Sequence, residues 1–396
     1  MKVAYLSYTF FADVDFSIIQ AMKKKSDLHY FIIVSPDSLK TTAVNIQKQH
    51  TVSGIFKASI YPEIENFSDF IDIEKTYIVN ISKSDAIYNI FFIFLKLLFM
   101  LLRMNIDVLH TTMYYSIVKF PLFFLRKKTI ITVHDPIPHS DEHQSIKDFI
   151  YRKITFHFIR NFIILNKIQK NEFISIYKLK HKNIYVSRLG IYDYLHKYIE
   201  TTSINNNDKK YILFFGRITK YKGLNFLFPA MKIVSETHKD IKLIVAGYCK
   251  DYYFDISEYE NCPYIEIRNE FIPDKELTVL IQNSLFVVCP YIDATQSGVV
   301  MSSFAFNIPI LATNTGGLPD YVEHMKSGYI VKPKDVNELA NGIKYLLDNK
   351  ELLDKQKKYI EERYRTGDYS WNKITDDFII LYKSFINCKH NHEELN

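Results

Sequence analysis

The stretch YILFFGRITKYKG, residues Tyr211–Gly223, does most to decide the fold. An apolar run that ends at Gly216 is typical of a buried strand, and an apolar helical pattern begins beyond Gly223. Strands buried on both faces and separated by helices predict a parallel sheet with right-handed crossovers. Ligands of such sheets bind at the carboxyl ends of the strands, where Arg217 and Lys222 stand.

The same alternation of strand and helix patterns continues through the rest of the chain. Four further apolar runs predict strands: IKLIVAG, IEIRNEF, LFVVCPY and IPILATN. Helical patterns follow at Asn225–Ser235, Lys275–Asn283, Gly298–Phe306 and Asn337–Leu347. We therefore predict a doubly wound C-terminal domain over residues 210–372. Residues 373–396 are expected to form a helix and tail that pack back towards the N-terminal domain.

The N-terminal half alternates in the same way, which predicts a second Rossmann-like domain over residues 1–195. Its strand candidates are VAYLSY, YFIIVS, DVLHTT, TIITVHD, FIILN and NIYVSRLG. Residues 198–210, YIETTSINNNDKK, lose hydrophobicity and gather Thr, Ser, Asn and Asp, so we place a linker at residues 196–209. Two facing domains of this kind leave a cleft between them, where a ligand can bind.

The composition fits a globular protein of two domains. The chain has 396 residues, of which 47% are hydrophobic and 24% charged. Its four cysteines are scattered without a CxxC pair, so neither a zinc pattern nor a disulfide framework is expected. The opening KVAYLSY predicts a strand rather than a signal peptide, which favours the cytoplasm. No nucleic-acid partner is expected.

The net charge of +6 is concentrated in the N-terminal half. Between Lys147 and Arg188, ten basic residues face only Asp148 and Glu172. The basic, aromatic segment Ile146–Phe162 would suit the phospholipid at the inner face of a membrane, and a solvated basic face is the alternative.

A second segment is also relevant to contact with a membrane. Residues Ile90–Leu102 are apolar except for Lys96, but a membrane span needs roughly 20 such residues. A buried helix of the domain is therefore favoured over a helix that faces a membrane.

Gly216, Arg217 and Lys222 form the first group of candidate site residues. A glycine lets a ligand approach the backbone closely, and two long cations at the end of a strand suit a diphosphate. The alternative is that Arg217 and Lys222 are surface cations that flank a turn.

A second group follows the next two strands. Thr295, Gln296, Ser297 and Gly298 open a helix, and a helix N-terminus attracts phosphate through its unpaired amides and its dipole. The pair Gly316–Gly317 follows the strand after that, where its backbone amides could reach a sugar or phosphate. Either turn alone could be an ordinary connection in an α/β domain.

His134 ends the strand TIITV in the N-terminal half and is followed by Asp135 and His139. A histidine at the carboxyl end of a buried strand can hydrogen-bond a hydroxyl or a phosphate; a satisfied core histidine is the alternative. No serine in a nucleophile turn accompanies His134 and Asp135, so a serine-type triad is not expected. No DxD pair stands on a loop after a strand, so we predict chemistry without a metal or other cofactor.

In this order, the motifs FFGRITKYKG, LIVAG, LFVVCPY, ATQSG and PILATNTGGLPDYV resemble the retaining glycosyltransferases of family 4 (group 1), which have the GT-B fold. The resemblance covers residues 210–350, and TVHDPIPHS and ILN in the N-terminal half resemble the family more loosely. It implies that Arg217 and Lys222 hold the phosphates of a nucleotide, that His134 lies beside the transferred sugar, and that the anomeric configuration is retained.

The chain departs from the family pattern at two acidic positions. Many members carry two glutamates eight positions apart, and Ala294 and Ser302 stand at those places here; a subset of the family has the same ATQSG sequence. Asp293 is a candidate substitute for the first glutamate. Glu270, which follows a strand, could contact the base or ribose, and an ordinary surface glutamate is the alternative.

These observations predict a glycosyltransferase that takes a sugar from a UDP-, GDP- or dTDP-linked donor. The acceptor would be a glycan or lipid-linked glycan on the side of Asp135 and His139. Bacterial surface polysaccharide synthesis, including that of O-antigen, is the expected setting. Two alternatives stay open: a nucleotide-sugar 2-epimerase, which would need acid and base carboxylates, and a non-catalytic nucleotide-sugar-binding protein.

Overall fold

The computed structural model describes residues 1–41, 43–134, 146–165, 167, 170–199, 211–249, 254–294 and 296–393, with side chains up to residue 386. These residues form two mainly parallel sheets, each flanked by helices.

The first sheet has eight strands in the spatial order β3-β4-β2-β1-β5-β6-β7-β8. They are β1 Lys2–Tyr8, β2 Asp27–Val34, β3 Gly54–Lys57, β4 Thr76–Asn80, β5 Val108–Thr111, β6 Thr129–Val133, β7 Asn161–Ile164 and β8 Asn183–Val186. Only β3 and β4 pair antiparallel among these neighbours. The antiparallel edge was not predicted, because β3 has four residues and is only half-buried.

The second sheet has six parallel strands in the order β11-β10-β9-β12-β13-β14. They are β9 Tyr211–Phe215, β10 Lys242–Ala246, β11 Ile265–Arg268, β12 Val287–Cys289, β13 Ile310–Thr313 and β14 Gly328–Val331. The strand order reverses between β9 and β12, so their carboxyl ends flank a crevice.

Twelve α-helices lie in the described part of the chain. They are α1 Ala12–Met22, α2 Pro62–Glu65, α3 Ile87–Arg103, α4 Ile146–Phe158, α5 Lys170–Tyr177, α6 Leu224–Ser235, α7 Asp274–Asn283, α8 Gly298–Ala305, α9 Leu318–Tyr321, α10 Val336–Asp348, α11 Lys350–Glu361 and α12 Trp371–Glu393. None of these helices, within the residues described, is both long and apolar enough to cross a membrane.

The helices α6, α7, α8 and α10 agree with the sequence prediction to within two residues at each end. The connection between β5 and β6 is a 3-10 segment over Ile117–Lys128, with Pro121 inside it, and not an α-helix. Proline removes an amide donor and clashes with the preceding turn, which disfavours a regular α-helix there.

Two hydrophobic cores support the sheets. One lies on a single face of the first sheet, beneath α3, the 3-10 segment, α4 and α5. The other is continuous from the opposite face of that sheet, beneath α1, into the C-terminal sheet. The two sheets are therefore held together by a shared apolar core rather than by a chain connection alone.

The last helix, α12, packs against α1 on the N-terminal sheet. The hydroxyl of Tyr382 is hydrogen-bonded to Nδ1 of His110, and Nζ of Lys25 lies 2.7 Å from Oδ1 of Asp376. Most of the linker predicted at residues 196–209, namely residues 200–209, lies outside the described residues; Asp193–Tyr198 forms a short 3-10 helix. The boundaries at residues 195, 209 and 372 stay predictions.

Candidate functional site

The loops after β9, β12 and β13 meet at the carboxyl edge of the C-terminal sheet. The loop after β9 carries Arg217 and Lys222, and the loop after β12 leads to α8. Because the strand order reverses between β9 and β12, these two loops diverge to opposite faces of the sheet and leave an opening for a ligand. The candidate residues that follow β9, β12 and β13 lie around this opening.

Arg217 and Lys222 occupy different depths. Arg217 is exposed and forms no ion pair or hydrogen bond with any residue that the structure describes. Lys222 is 8% exposed, and its Nζ donates a hydrogen bond to the Tyr291 hydroxyl at 3.1 Å and lies 4.8 Å from the centre of that ring. The site thus has one buried cation held by Tyr291 and one exposed cation in the same loop.

The surroundings of Lys222 weaken its hold on a proton. Burial lowers the pKa of Lys222 to about 8, and the charge of Arg217 acts in the same direction. Burial also raises the pKa of the neighbouring Cys289 thiol to about 12, so that thiol stays neutral near pH 7. Among the residues that the structure describes, Lys222 therefore has no anionic partner at neutral pH. An anionic ligand would offset the cost of burying its charge.

Two glycines let the three loops touch. Gly223 has φ +71°, and a side chain there would place Cβ 2.0 Å from the carbonyl oxygen of Pro290. Gly316 has φ +50°, and its Cβ would lie 1.6 Å from the carbonyl oxygen of Ala294. Neither position can hold another residue without backbone movement, so the loop after β12 is clamped on both sides.

This clamp changes the role predicted for Gly317. Its amide donates to the carbonyl oxygen of Ala294 at 3.1 Å and is already used within the protein. Gly316 is likewise required for the close approach of the two loops. The geometry supports a packing role for the pair, and the expected contact of the Gly317 amide with a ligand is not supported.

The N-terminus of α8 closes one side of the opening. The hydroxyl of Ser297 accepts a hydrogen bond from the Val300 amide at 3.4 Å and caps the helix, which begins at Gly298. Burial raises the pKa of the Tyr291 phenol, while its hydrogen bond to Ser297 acts in the opposite direction. Ser297 and Lys222 therefore both contact Tyr291. Thr295 lies outside the described residues.

His134 comes from the other sheet, at the carboxyl end of β6, and is 8% exposed. Its ring stacks on Phe11 with centroids 4.2 Å apart. The side-chain amide of Gln296 donates to the His134 carbonyl oxygen at 3.3 Å and approaches its Nδ1 at 3.4 Å. This contact joins the two domains across the cleft.

The remaining predicted site residues lie away from this cleft or outside the described residues. Asp135 and His139 are not among the described residues. Glu270 is exposed after β11, at the outer edge of the second sheet, two strands from β9. Ala294 and Ser302, at the two positions where many family members have glutamate, are both buried, and neither carries a carboxylate.

Several residues of this site were not predicted. Tyr291 supports Lys222, and Phe11 supports His134. Phe10 is 47% exposed and stacks on Tyr8 at 4.9 Å, at the carboxyl end of β1. The sequence YTFF (residues 8–11) could have indicated Phe10 and Phe11, because it directly follows the first strand, where ligand contacts are expected in this fold class.

Comparisons with known proteins agree with this arrangement. Residues 197–363 match the family described as glycosyl transferases group 1. An uncharacterized glycosyltransferase of Methanocaldococcus jannaschii is 28% identical over 188 residues, which is 45% of each chain. A capsular polysaccharide biosynthesis glycosyltransferase of Staphylococcus aureus is 25% identical over 190 residues, or 46% of this chain and 47% of that one. The chain thus matches about half the length of these relatives.

The structural comparison covers almost the whole chain. The crystal structure of Anabaena HepE in complex with UDP aligns with a TM-score of 0.64 over 96% of this chain and 99% of that one, at 15% identity. An identity this low shows the fold alone. The predicted α/β architecture of two facing Rossmann-like domains is confirmed: this chain has the GT-B fold, and its residues 197–363 are similar in sequence to the group 1 glycosyltransferases.

Proposed function

We propose that this protein is a glycosyltransferase that takes its sugar from a nucleotide-sugar donor bound at the carboxyl edge of the C-terminal sheet. The observation that carries the proposal is the pair of cations after β9: Lys222, buried without an anionic partner among the described residues, and Arg217, exposed in the same loop. The similarity of residues 197–363 to group 1 glycosyltransferases supports it, as does the UDP in the HepE structure of the same fold.

The reaction follows from where charge develops. When the glycosidic bond to the donor breaks, negative charge builds on the departing diphosphate. Fixed cations stabilise that charge more in the transition state than in the ground state, which lowers the barrier. Lys222 is positioned in advance by Tyr291, so it loses little freedom on binding. Arg217 adds a planar donor group that can bind two phosphate oxygens.

The sugar would lie between the two domains, beside His134 and Gln296. Both side chains are already in contact across the cleft, so a donor that reached this point would touch both sheets. No carboxylate stands at Ala294 or Ser302, which makes a covalent glycosyl-enzyme intermediate on either position untenable. Retention of configuration remains part of the proposal on the strength of the family resemblance, and so does chemistry without a metal or other cofactor.

The acceptor would bind at the carboxyl end of β1. Phe10 presents an exposed ring there, and aromatic faces pack well against the apolar face of a sugar. We propose a glycan or lipid-linked glycan as acceptor, with Asp135 and His139 on the same side. A cytoplasmic role in bacterial surface polysaccharide synthesis is part of the proposal, and the similarity to a capsular polysaccharide glycosyltransferase points the same way.

One experiment tests the proposal against its alternatives. The full chain is incubated with UDP-, GDP- and dTDP-sugars, and free nucleotide and sugar products are measured with and without glycan acceptors. Nucleotide release that depends on one donor and increases with acceptor is expected. Tight donor binding without turnover would instead support a non-catalytic binding protein, which the lack of carboxylates at positions 294 and 302 favours. An epimerised donor would support a 2-epimerase.

A further inference from the structure

The outer surface of the N-terminal domain is unusually apolar and basic. The chain moves in one direction along the sheet from β4 through β5, β6, β7 and β8, so the right-handed crossover rule places α3, the 3-10 segment, α4 and α5 on one face. Their inner sides share the N-terminal core. We call the outward side of α3, the 3-10 segment and α4 the outer layer.

Helix α3 presents an aromatic stripe to the outside. Tyr88, Phe92, Lys96, Phe99 and Arg103 are all exposed, and their spacing of three or four residues puts them along one line of the helix. The exposed fractions of the three aromatic side chains are 64%, 55% and 60%. The opposite side of the same helix is buried. The sequence prediction of a buried helix therefore holds for one side of α3 and is wrong for the other.

The stripe continues onto the neighbouring elements. The 3-10 segment packs against α3 and exposes Phe120 and Phe124, by 51% and 67%. It contacts α4 through the rings of Phe123 and Phe158, 4.8 Å apart. Helix α4 in turn exposes Ile150 and Ile154. Three consecutive elements thus expose large apolar side chains on one continuous surface, which exceeds the scattered apolar residues of an ordinary protein surface.

The three elements that form the outer layer are strongly basic, although Lys119 lies over the Tyr8 ring and Lys128 donates to the Ile106 carbonyl oxygen instead of facing outward. These elements contain nine basic residues and one acidic residue, Asp148, a difference of +8. The basic residues are Lys96, Arg103, Lys119, Arg126, Lys127, Lys128, Lys147, Arg152 and Lys153. Within the described residues, Lys96, Arg103, Lys127 and Lys153 form no ion pair. A helical surface that combines Lys and Arg with exposed Phe and Ile is suited to an anionic lipid interface. The cations can contact the lipid headgroups, and the apolar side chains can insert at the boundary with the acyl chains.

We infer that the outer layer binds the surface of an anionic phospholipid membrane. The protein would lie on the membrane rather than span it, since no described helix could cross one. The cleft opens at the carboxyl edge of the sheet, at right angles to its faces, so it would stay open beside the membrane. A lipid-linked acceptor could then reach the cleft without leaving its bilayer. The binding itself does not depend on the proposed reaction.

The test is flotation of the full chain with vesicles of phosphatidylcholine alone or with 40% phosphatidylglycerol, at low and high salt. Binding to the anionic vesicles at low salt, reduced at high salt, is expected. The charge reversals Lys96→Glu, Lys127→Glu and Lys153→Glu together should weaken the partition coefficient by at least about a hundredfold, because each lost surface cation contributes roughly a factor of five and each new carboxylate is repelled by the anionic surface. Phe99→Ser with Phe124→Ser should weaken it while leaving its salt dependence in place.

Matched controls separate location from total charge and folding. Lys239, Lys242 and Lys355 are exposed lysines of the C-terminal domain, and their reversal to Glu changes the net charge equally. These controls should bind vesicles nearly as well as the wild type. Circular dichroism and donor-nucleotide binding report whether each variant is folded.

Two results would overturn the inference. One is a wild-type chain that ignores anionic vesicles at low salt, whether or not it turns over a nucleotide-sugar. The other is a dimer detected by sedimentation that Phe99→Ser with Phe124→Ser dissociates while vesicle binding is unchanged, which would assign the layer to a second copy of this chain. Loss of nucleotide turnover with intact vesicle binding would refute only the proposed function.

Discussion

The two domains build the carboxyl edges of their sheets in different ways. In the C-terminal domain, backbone contacts at Gly223 and Gly316 lock three loops around one buried cation, Lys222. In the N-terminal domain, stacked side chains such as Tyr8 with Phe10 and Phe11 with His134 form the edge. A clamped backbone suits a constant ligand group such as a diphosphate, whereas side chains can vary with the acceptor without a change in the loops.

The largest effect should come from the cations of the clamped edge. Arg217→Ala or Lys222→Met should each reduce nucleotide release by a factor of about 10²–10³, the usual effect of losing one group that stabilises a leaving oxyanion. Lys239→Met, an exposed lysine of the same domain, is the control and should behave like the wild type. Near-normal turnover in both site variants would refute the proposed donor site.

Breaking the clamp itself should reduce stability and nucleotide binding together. Gly316→Ala forces a β-carbon against the Ala294 carbonyl at a positive φ, so a loss of at least about 2 kcal/mol in the free energy of unfolding is expected. Gly298→Ala is the matched control, because its β-carbon would meet only the Tyr192 side chain at 3.1 Å. Equal unfolding midpoints in urea for the two variants would contradict a clamped loop.

The pH dependence of nucleotide affinity should report on Lys222. Its pKa of about 8 means that the free protein carries this charge below pH 8 and loses it above. A diphosphate favours the charged form, so the affinity should fall by about tenfold for each pH unit above pH 8. Calorimetry between pH 7 and 9.5 measures this, and Lys222→Met should flatten the profile. An unchanged slope in that variant would assign the titration to another group.

The smallest effect should come from the N-terminal edge. Phe10→Ala should raise the KM for a glycan acceptor about fivefold, because one aromatic contact contributes roughly 1 kcal/mol. Donor-nucleotide affinity should not change, since Phe10 lies at the end of β1 on the other sheet. A larger change in donor-nucleotide affinity than in the KM for the acceptor would contradict the division of roles between the two domains.

The sequence predicted the clamped edge better than the stacked one. Apolar runs mark β9, β12 and β13, and the loops after them follow directly. The burial of Lys222 could not be predicted, because it depends on Tyr291, 69 residues further along the chain. The same holds for Gly317, whose amide is taken up by a carbonyl on another loop.

The N-terminal domain shows a different limit. Helix α3 carries Phe92 and Phe99 on the same exposed side as Lys96, so its largely apolar composition overstated how much of the helix is buried. The edge strand β3 is short and half-buried, and pattern alone gave no reason to expect it. When large apolar side chains lie on both faces of a segment, the packing of neighbouring elements decides which face is exposed.

The packing of α12 on α1 has a consequence for how this protein is made. The N-terminal domain leaves the ribosome first, yet the part of its sheet face beside α1 that α12 covers stays exposed until the segment containing Tyr382 emerges, more than 180 residues after β8. At typical synthesis rates of about 5–20 residues per second, that surface remains exposed for roughly ten seconds or longer. The domain that is translated first is thus completed last, and a ribosome stalled within the C-terminal domain would leave an apolar surface open to chaperones.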